Sequence, residues 1–381
     1  MRRTARSISR VSDNILRYER HRLIPTLESA HGFTSHPGDP PLTGLNDTAA
    51  LSRLGFSAFF AEQVTADEAD LLVRRISSVH RDRLEAIDST GPVEIELPPN
   101  SNTADFAVGD WVLAAPYTGL LVRRLDRQTV LQRRTEGAFG QQLAAANVDT
   151  LFIVTSCNAD FNAARLERYL VLANEAGTRP VIVLTKADTV DNASVYADEA
   201  KGLQRDLPVV IVNARSPEAI DPLMPWCGLG QTVALVGSSG VGKSTLVNTL
   251  AGHGAETAQK TGAIREHDAK GRHTTTARSL HAIASGGWVI DTPGIRTLYV
   301  SDITDGIDTL FAEITELVPH CKFRDCSHSH EKGCAVQAAI KEGTLEPTRL
   351  ERWRQLQAEN RDRTPVYSGP KGNKTLRKKK Y

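Results

Sequence analysis

From about residue 147 the apolar positions fall into short unbroken runs separated by longer amphipathic stretches. Leu151-Phe152-Ile153-Val154, Val181-Ile182-Val183-Leu184, Val209-Val210-Ile211-Val212 and Val233-Ala234-Leu235-Val236 carry no polar interruption, as strands buried on both faces require. Trp288-Val289-Ile290 is one more. After the first run, Leu166, Tyr169, Leu170 and Ala173 recur at helical spacing, which predicts a helix capped by Asp160 and closed by Gly177. Strands alternating with helices predict a doubly wound α/β domain.

Between about 72 and 134 the rhythm differs. Val93 to Leu97 alternates as VEIEL, Gly109-Asp110 leads into Trp111-Val112-Leu113, and Thr118-Gly119 leads into Leu120-Leu121-Val122. Asp126-Arg127-Gln128 then turns into Thr129-Val130-Leu131. These short strands predict a small antiparallel barrel of OB type. Arg123, Arg124, Arg127, Arg133 and Arg134 decorate its later strands, a face suited to nucleic acid. Residues 1–48 open with four arginines in ten residues and continue to the Pro- and Gly-dense TSHPGDPPLTGLND, which has no apolar periodicity. They read as a flexible basic extension and linker. After about 300 the chain turns helical and charged, ending in KGNKTLRKKKY with six Lys or Arg. The expected organisation is therefore multidomain: extension 1–48, OB-like barrel 49–135, α/β domain 136–300, and a helical domain with basic tail 301–381.

Composition narrows the classes. Lys plus Arg (46) nearly cancels Asp plus Glu (45), so no global field marks a general polyanion binder. No apolar run approaches the ~18 residues of a membrane span. Five cysteines, three of them between 321 and 334, suit a metal site in a reducing compartment better than a disulfide scaffold. A cytoplasmic, monomeric protein is expected.

The sharpest motif is Gly237-Ser238-Ser239-Gly240-Val241-Gly242-Lys243-Ser244, followed by Thr245, between a strand and a helix. Its backbone N–H groups would wrap phosphates, Lys243 would reach the β- and γ-phosphates, and Ser244 would ligate Mg²⁺. Thr185-Lys186-Ala187-Asp188 ends another buried strand; the carboxylate can accept from guanine N1 and N2, where adenine offers neither donor. Asn213-Ala214 follows the next strand and can present an amide to guanine O6. Asp291-Thr292-Pro293-Gly294 ends the Trp288 strand, with Asp291 suited to Mg²⁺ and the Gly294 amide to the γ-phosphate. In Gly271-Arg272-His273-Thr274-Thr275-Thr276 one threonine can complete the Mg²⁺ shell; we favour Thr275, although spacing does not separate it from its neighbours. Ile295 stands where a Ras-type enzyme has its water-orienting Gln, so His273 is the nearest candidate for that task.

Base-reading motifs precede the phosphate loop here, the reverse of the usual GTPase order. A sheet whose strands end at one edge keeps its site under circular permutation. Downstream, Cys321-x₄-Cys326-x-His328-x₅-Cys334 offers three thiols and an imidazole, a closed Zn²⁺ set with a structural role; His320 and His330 are alternative ligands. Cys157 and Cys227 read as ordinary core or loop thiols.

The order TKxD, GxxGxGKS, GRHTTT, DTPG and C-x₄-C-x-H-x₅-C resembles the circularly permuted, ribosome small-subunit-dependent GTPases of the RsgA family. The resemblance covers roughly residues 72–360. It implies a GTP hydrolase acting late in maturation of the small ribosomal subunit, with 16S rRNA as its platform. The chain departs from the pattern in its long N-terminal extension and in Thr185, where many GTPases have Asn. Two other classes stand beside it: an ATP-dependent enzyme, which nucleotide competition decides, and an RNA-binding module with a decayed nucleotide site, against which the intact Lys243, Ser244 and Asp291 argue. Asp188→Asn tests the base assignment: GTP binding should weaken and xanthosine triphosphate should gain, whereas unchanged GTP affinity would remove guanine specificity from this motif.

Overall fold

A computed structural model describes residues 46–134, 141–251, 278–291 and 303–364, together with 367–368 and 375–376. Two short helices come first, α1 (Thr48–Arg53) and α2 (Ala58–Ala61). Five strands follow: β1 (Leu72–Val79), β2 (Leu84–Asp88), β3 (Gly91–Ile95), β4 (Trp111–Ala114) and β5 (Leu121–Arg124). β1 pairs antiparallel with both β2 and β4, β2 with β3, and β4 with β5. A parallel bridge between Glu96 and Leu120 joins the ends of β3 and β5, so the pairing returns on itself. Ile76, Leu84, Ala86, Ile95, Val112, Ala114 and Leu121 fill the inside. Val73, Trp111 and Leu113 pack instead with Leu51 of α1, Leu54 at its end and Phe60 of α2. With both faces of β4 covered, its sequence WVLA has no need to alternate.

A hairpin of β6 (Val130–Arg134) and β7 (Gln141–Ala146) leads into the second sheet. There follow β8 (Thr150–Ser156), α3 (Ala163–Glu175), β9 (Arg179–Thr185), α4 (Ser194–Lys201), β10 (Val209–Ile211), β11 (Thr232–Val236), α5 (Lys243–Leu250), β12 (Ser279–Ala282) and β13 (Trp288–Asp291). The parallel strands stand in the order β10-β9-β8-β11-β13, and β12 runs antiparallel beside β13. Every residue of β8 and β11 is buried, in keeping with their unbroken apolar runs. Ser279 of β12 also pairs with Ser78 of β1, which makes the two sheets continuous.

The helix after β8 forms where its periodicity places it, but its cap differs. Asn162, not Asp160, caps α3, accepting from the Arg165 amide at 2.9 Å. Asp160 is drawn into the preceding turn, its amide donating to Asn158 Oδ1 at 2.9 Å. Gly177 closes the helix end at φ +73°, as expected.

The basic face expected on the β strands is smaller than the sequence suggests. Arg123 makes a two-pronged contact with Glu68 at 2.6 and 2.7 Å, and Arg127 grips the buried Asp110 at 2.6 and 2.7 Å. Carboxylates on neighbouring segments take up the charge that was read as free. Arg133 and Arg134 have backbones in β6, but their side chains lie outside the described residues.

One guanidinium joins the two sheets. Arg75 of β1 is 1% exposed. It donates to the Leu54 carbonyl after α1 at 2.5 Å and to Thr232 Oγ1 of β11 at 2.7 Å, and its guanidinium carbon lies 5.5 Å from the Trp111 ring centroid. Burial lowers its pKa to about 10, against the opposing field of Asp149, so it is charged at neutral pH.

The C-terminal part comprises α6 (Thr304–Leu310), α7 (Ala312–Thr315), α8 (Ala335–Lys341) and α9 (Pro347–Arg363). It shares a core with α3 and β8. Gly306 is required at one crossing, since a Cβ there would stand 2.4 Å from the Val171 carbonyl oxygen of α3. The buried Glu167 of α3 meets Arg349 and Arg352 of α9, each at 3.1 Å. Among the described residues no helix is long and apolar enough to cross a membrane.

The Glu68–Arg123 contact makes a pH-dependent contribution. The Arg123 hydrogen bonds bring Glu68 down to about 2 from an unfolded value near 4.3. A depressed carboxylate pKa stabilises fully above the unfolded value, and that stability is lost as pH falls through the folded one. Arg123 is about a third exposed, so screening limits the pair to about 1 kcal/mol. Urea unfolding of Glu68→Gln should show that deficit at pH 7, closing between about pH 4 and 2; a deficit constant over that range would assign it to packing.

Candidate functional site

Parallel pairing brings the expected motifs to one edge of the sheet. Thr185 ends β9 and residues 186–188 follow it, Asn213 and Ala214 follow β10, residues 237–244 follow β11, and Asp291 ends β13. All leave the carboxyl ends of strands that lie side by side. This is the position where open α/β sheets bind ligands.

The phosphate loop depends on close approach. Gly237 sits at φ +145°, and a Cβ on it would stand 2.1 Å from the carbonyl oxygen of Val154 in β8. No side chain fits, so the loop can turn tightly over the neighbouring strand. Lys243 opens α5, and its ammonium donates to the carbonyls of Gly237, at 2.9 Å, and Ser238. Ser244 and Thr245, in the first turn of the helix, are exposed.

Two hydroxyls tie the base-side loops to this element. Thr185, 1% exposed, donates to the Val241 carbonyl at 2.6 Å. Thr249 of α5 lies 3.0 Å from the Ala214 carbonyl. Lys186 adopts a left-handed backbone, φ +55°, stabilised by the Thr189 hydroxyl donating to its carbonyl at 2.7 Å. Conformations of this kind cost of order 1–3 kcal/mol and are kept where the surroundings fix them. The turn leaves Asp188 exposed at the edge. Asn213 is also exposed, its side chain accepting from the Arg215 amide at 3.2 Å.

Thr185, where many GTPases have Asn, bonds to the phosphate loop, a contact that its place in the TKAD motif does not reveal. A threonine at the buried end of a parallel strand is the signal available, because its hydroxyl must find a partner. His273, Thr275 and Gly294 lie outside the described residues, as do Thr274, Thr276 and Ile295.

A second cluster lies in the C-terminal part. Cys321, Cys326, His328 and Cys334 present ligand atoms that all fall within 4.8 Å of one another. His328 Nδ1 stands 3.5 Å from Cys321 Sγ and 3.6 Å from Cys334 Sγ, and the two sulfurs are 3.9 Å apart. His320 and His330, the alternatives, are not in the group. Burial, with the Arg354 cation nearby, pushes the His328 pKa down and keeps its ring neutral, as a ligand must be. Its carbonyl accepts from Gln337 at 2.5 Å and Arg354 at 2.8 Å, and its ring meets Trp353 edge-on. Glu331 braces the turn by accepting from the Ser327 hydroxyl and amide and from the amides of Ser329 and His330, bonds that hold its carboxyl well below the usual range. These four residues could hold one metal ion. Cys157 and Cys227 are buried elsewhere, and burial pushes Cys227 up to about 12.

Known proteins resemble this chain closely enough to show its family. A protein from Mesorhizobium japonicum, "Small ribosomal subunit biogenesis GTPase RsgA", is 67% identical over 86% of this chain and 94% of its own length. The chain belongs to the RsgA GTPase family. It is therefore a GTPase. The RsgA GTPase family model matches residues 124–301. A Vibrio vulnificus protein, "Small ribosomal subunit biogenesis GTPase RsgA 2", is 46% identical over 80% of this chain and 86% of its own. The crystal structure of YloQ, a circularly permuted GTPase, superposes with a TM-score of 0.55 at 25% identity, covering 80% of this chain and 99% of YloQ. YjeQ from Thermotoga maritima shares the fold, with a TM-score of 0.57 at 24% identity over 76% of this chain and 99% of that one. The permuted order read from the motifs is thus the family's own.

The Thr185 contact gives a direct test. Thr185→Val keeps the shape and leaves the Val241 carbonyl without its buried donor, a loss of about 1–3 kcal/mol. Dissociation constants for GDP and GTP should both rise about tenfold with guanine preference intact, and Thr185→Ser should restore them. Calorimetric titration showing wild-type affinity in Thr185→Val would disconnect the bond from nucleotide binding.

Proposed function

We propose that this GTPase acts in biogenesis of the small ribosomal subunit, binding 16S rRNA and hydrolysing GTP in response to the subunit. The observation that carries the reading is the shared edge, where a guanine-type motif, a phosphate loop and an acid all leave the same end of one parallel sheet. Relatives named for small-subunit biogenesis, one of them 67% identical, support the choice of process.

In this reading Asp188 accepts from guanine N1 and N2, the Lys186 stem lies along the base, and Asn213 with the Ala214 amide serves its O6 side. Residues 237–245 wrap the phosphates, and Lys243 exchanges its loop carbonyls for phosphate oxygens. Ser244, Asp291 and Thr275 are the residues that would hold Mg²⁺, which supplies positive charge to the β- and γ-phosphates. The Gly294 amide reads the γ-phosphate. Ile295 cannot orient the attacking water, and His273 is our candidate for that role.

The cluster at Cys321, Cys326, His328 and Cys334 is proposed to hold one structural Zn²⁺. Zinc–sulfur bonds of about 2.3 Å imply tetrahedral sulfur–sulfur edges of about 3.8 Å, close to the 3.9 Å between Cys321 and Cys334. We take residues 49–135 as an OB-like barrel, supported by the returning β1–β5 pairing. Residues 136–300 form the nucleotide domain, 301–381 the zinc domain with its basic tail, and 1–48 an extension. The protein is placed in the cytoplasm as a monomer.

The deciding experiment is GTP turnover with and without purified small subunits across a salt series. Unaided turnover should lie on the order of 10⁻⁴ to 10⁻² s⁻¹ and rise with subunits. Stimulation should fall as salt rises, because cations on phosphates are displaced by counterions. A rate unchanged by saturating subunits at low salt would refute the coupling.

A further inference from the structure

The loop between the first two thiols of the metal cluster faces outward. Lys322, Phe323 and Arg324 are all exposed, Phe323 by 46%. The loop is nonetheless held in shape. Cys321 and Cys326 anchor it at the cluster, the Lys322 amide donates to the Gly333 carbonyl at 2.9 Å, and Glu331 braces the next turn. Lys322 Nζ lies 5.6 Å from the Phe323 ring centroid. Among the described residues, Lys322, Arg324 and the exposed Lys332 form no ion pair, unlike Arg123 of β5 and Arg127 of the turn after it. Asp325 is the acid beside them, since the Glu331 carboxylate is engaged by its own turn.

An outward ring on a rigid loop, flanked by unpaired cations, has the features of a stacking platform for nucleic acid. The ring supplies a face for a base, and the cations reach the phosphates on either side. Bases within an RNA duplex are already stacked, so the fitting ligand is an unpaired one. The geometry points to Lys322, Phe323 and Arg324 as a stacking site for single-stranded RNA, carried on the turn that the Cys/His cluster anchors. This rests on the proposed function for the choice of RNA over DNA and adds which side chains grip it. It also relocates RNA contact from the β-strand arginines, two of which are occupied, to the C-terminal part.

The test uses the full chain with a fluorescein-labelled twelve-nucleotide oligo(A), a duplex RNA of equal length, and purified small subunits. Phe323→Ala should weaken oligo(A) binding about tenfold, with bound metal and GTP affinity unchanged. Phe323→Trp should bind as tightly as wild type. The Lys322→Ala/Arg324→Ala double variant should lower the slope of log affinity against log salt by about 1.4. Wild-type oligo(A) affinity in Phe323→Ala, or no measurable binding by the wild type, overturns the proposal. Weakened subunit binding with unchanged oligo(A) binding also overturns it, and identifies a protein partner. Failure of the underlying function looks different: the wild-type protein then does not cosediment with small subunits, whatever the oligonucleotide shows.

Discussion

Parallel pairing is the constraint on which the rest of the molecule depends. Because β8, β9, β10, β11 and β13 run the same way, their carboxyl ends share one edge, and each loop leaving that edge can face the same ligand. Chain order does not enter this condition. The segment Thr185 to Asp188 can therefore come before the phosphate loop without moving in space. Permutation alters what is attached to the last strand, and here that is the part carrying the Cys321, Cys326, His328 and Cys334 cluster.

The loops at this edge are held by the strands beneath them. Gly237 lets the phosphate loop lie against β8, and Thr185 bonds it to the end of β9. From the opposite end of the sheet, Arg75 reaches Thr232, the first residue of the strand that delivers the loop. A buried guanidinium is costly to desolvate, and its hydrogen bonds to α1 and β11 offset that cost only while both sheets keep their positions. The first five strands are thereby fixed to the strand that ends in the phosphate loop.

Most of the α/β domain could be read from the sequence because its strands are buried on both faces. Runs such as Leu151 to Val154 admit few other readings, and the phosphate loop and thiol spacing are equally plain. The rest failed for identifiable reasons. β12, with the sequence SLHA, is four residues long, half polar, and follows a stretch without periodicity. Arg75 lies within a strand, where an arginine reads as a surface residue until the neighbouring sheet is known. Asp160 and Asn162 are both good caps, and the choice between them was made by a bond from the Asp160 amide to Asn158. Arg123 and Arg127 looked basic because their partners, Glu68 and Asp110, are 55 and 17 residues away in sequence. Sequence shows charges one at a time, and pairing belongs to the fold.

The crossing at Gly306 has a consequence in chain statistics. Asp291 is fixed by the ladders of β12 and β13, while Gly306 presses on α3 and the Ile303 amide donates to Asn360 of α9 at 3.3 Å. Both ends of the segment carrying Gly294 are thus held by packed elements. The entropy of closing that segment is set by the scaffold before any nucleotide arrives.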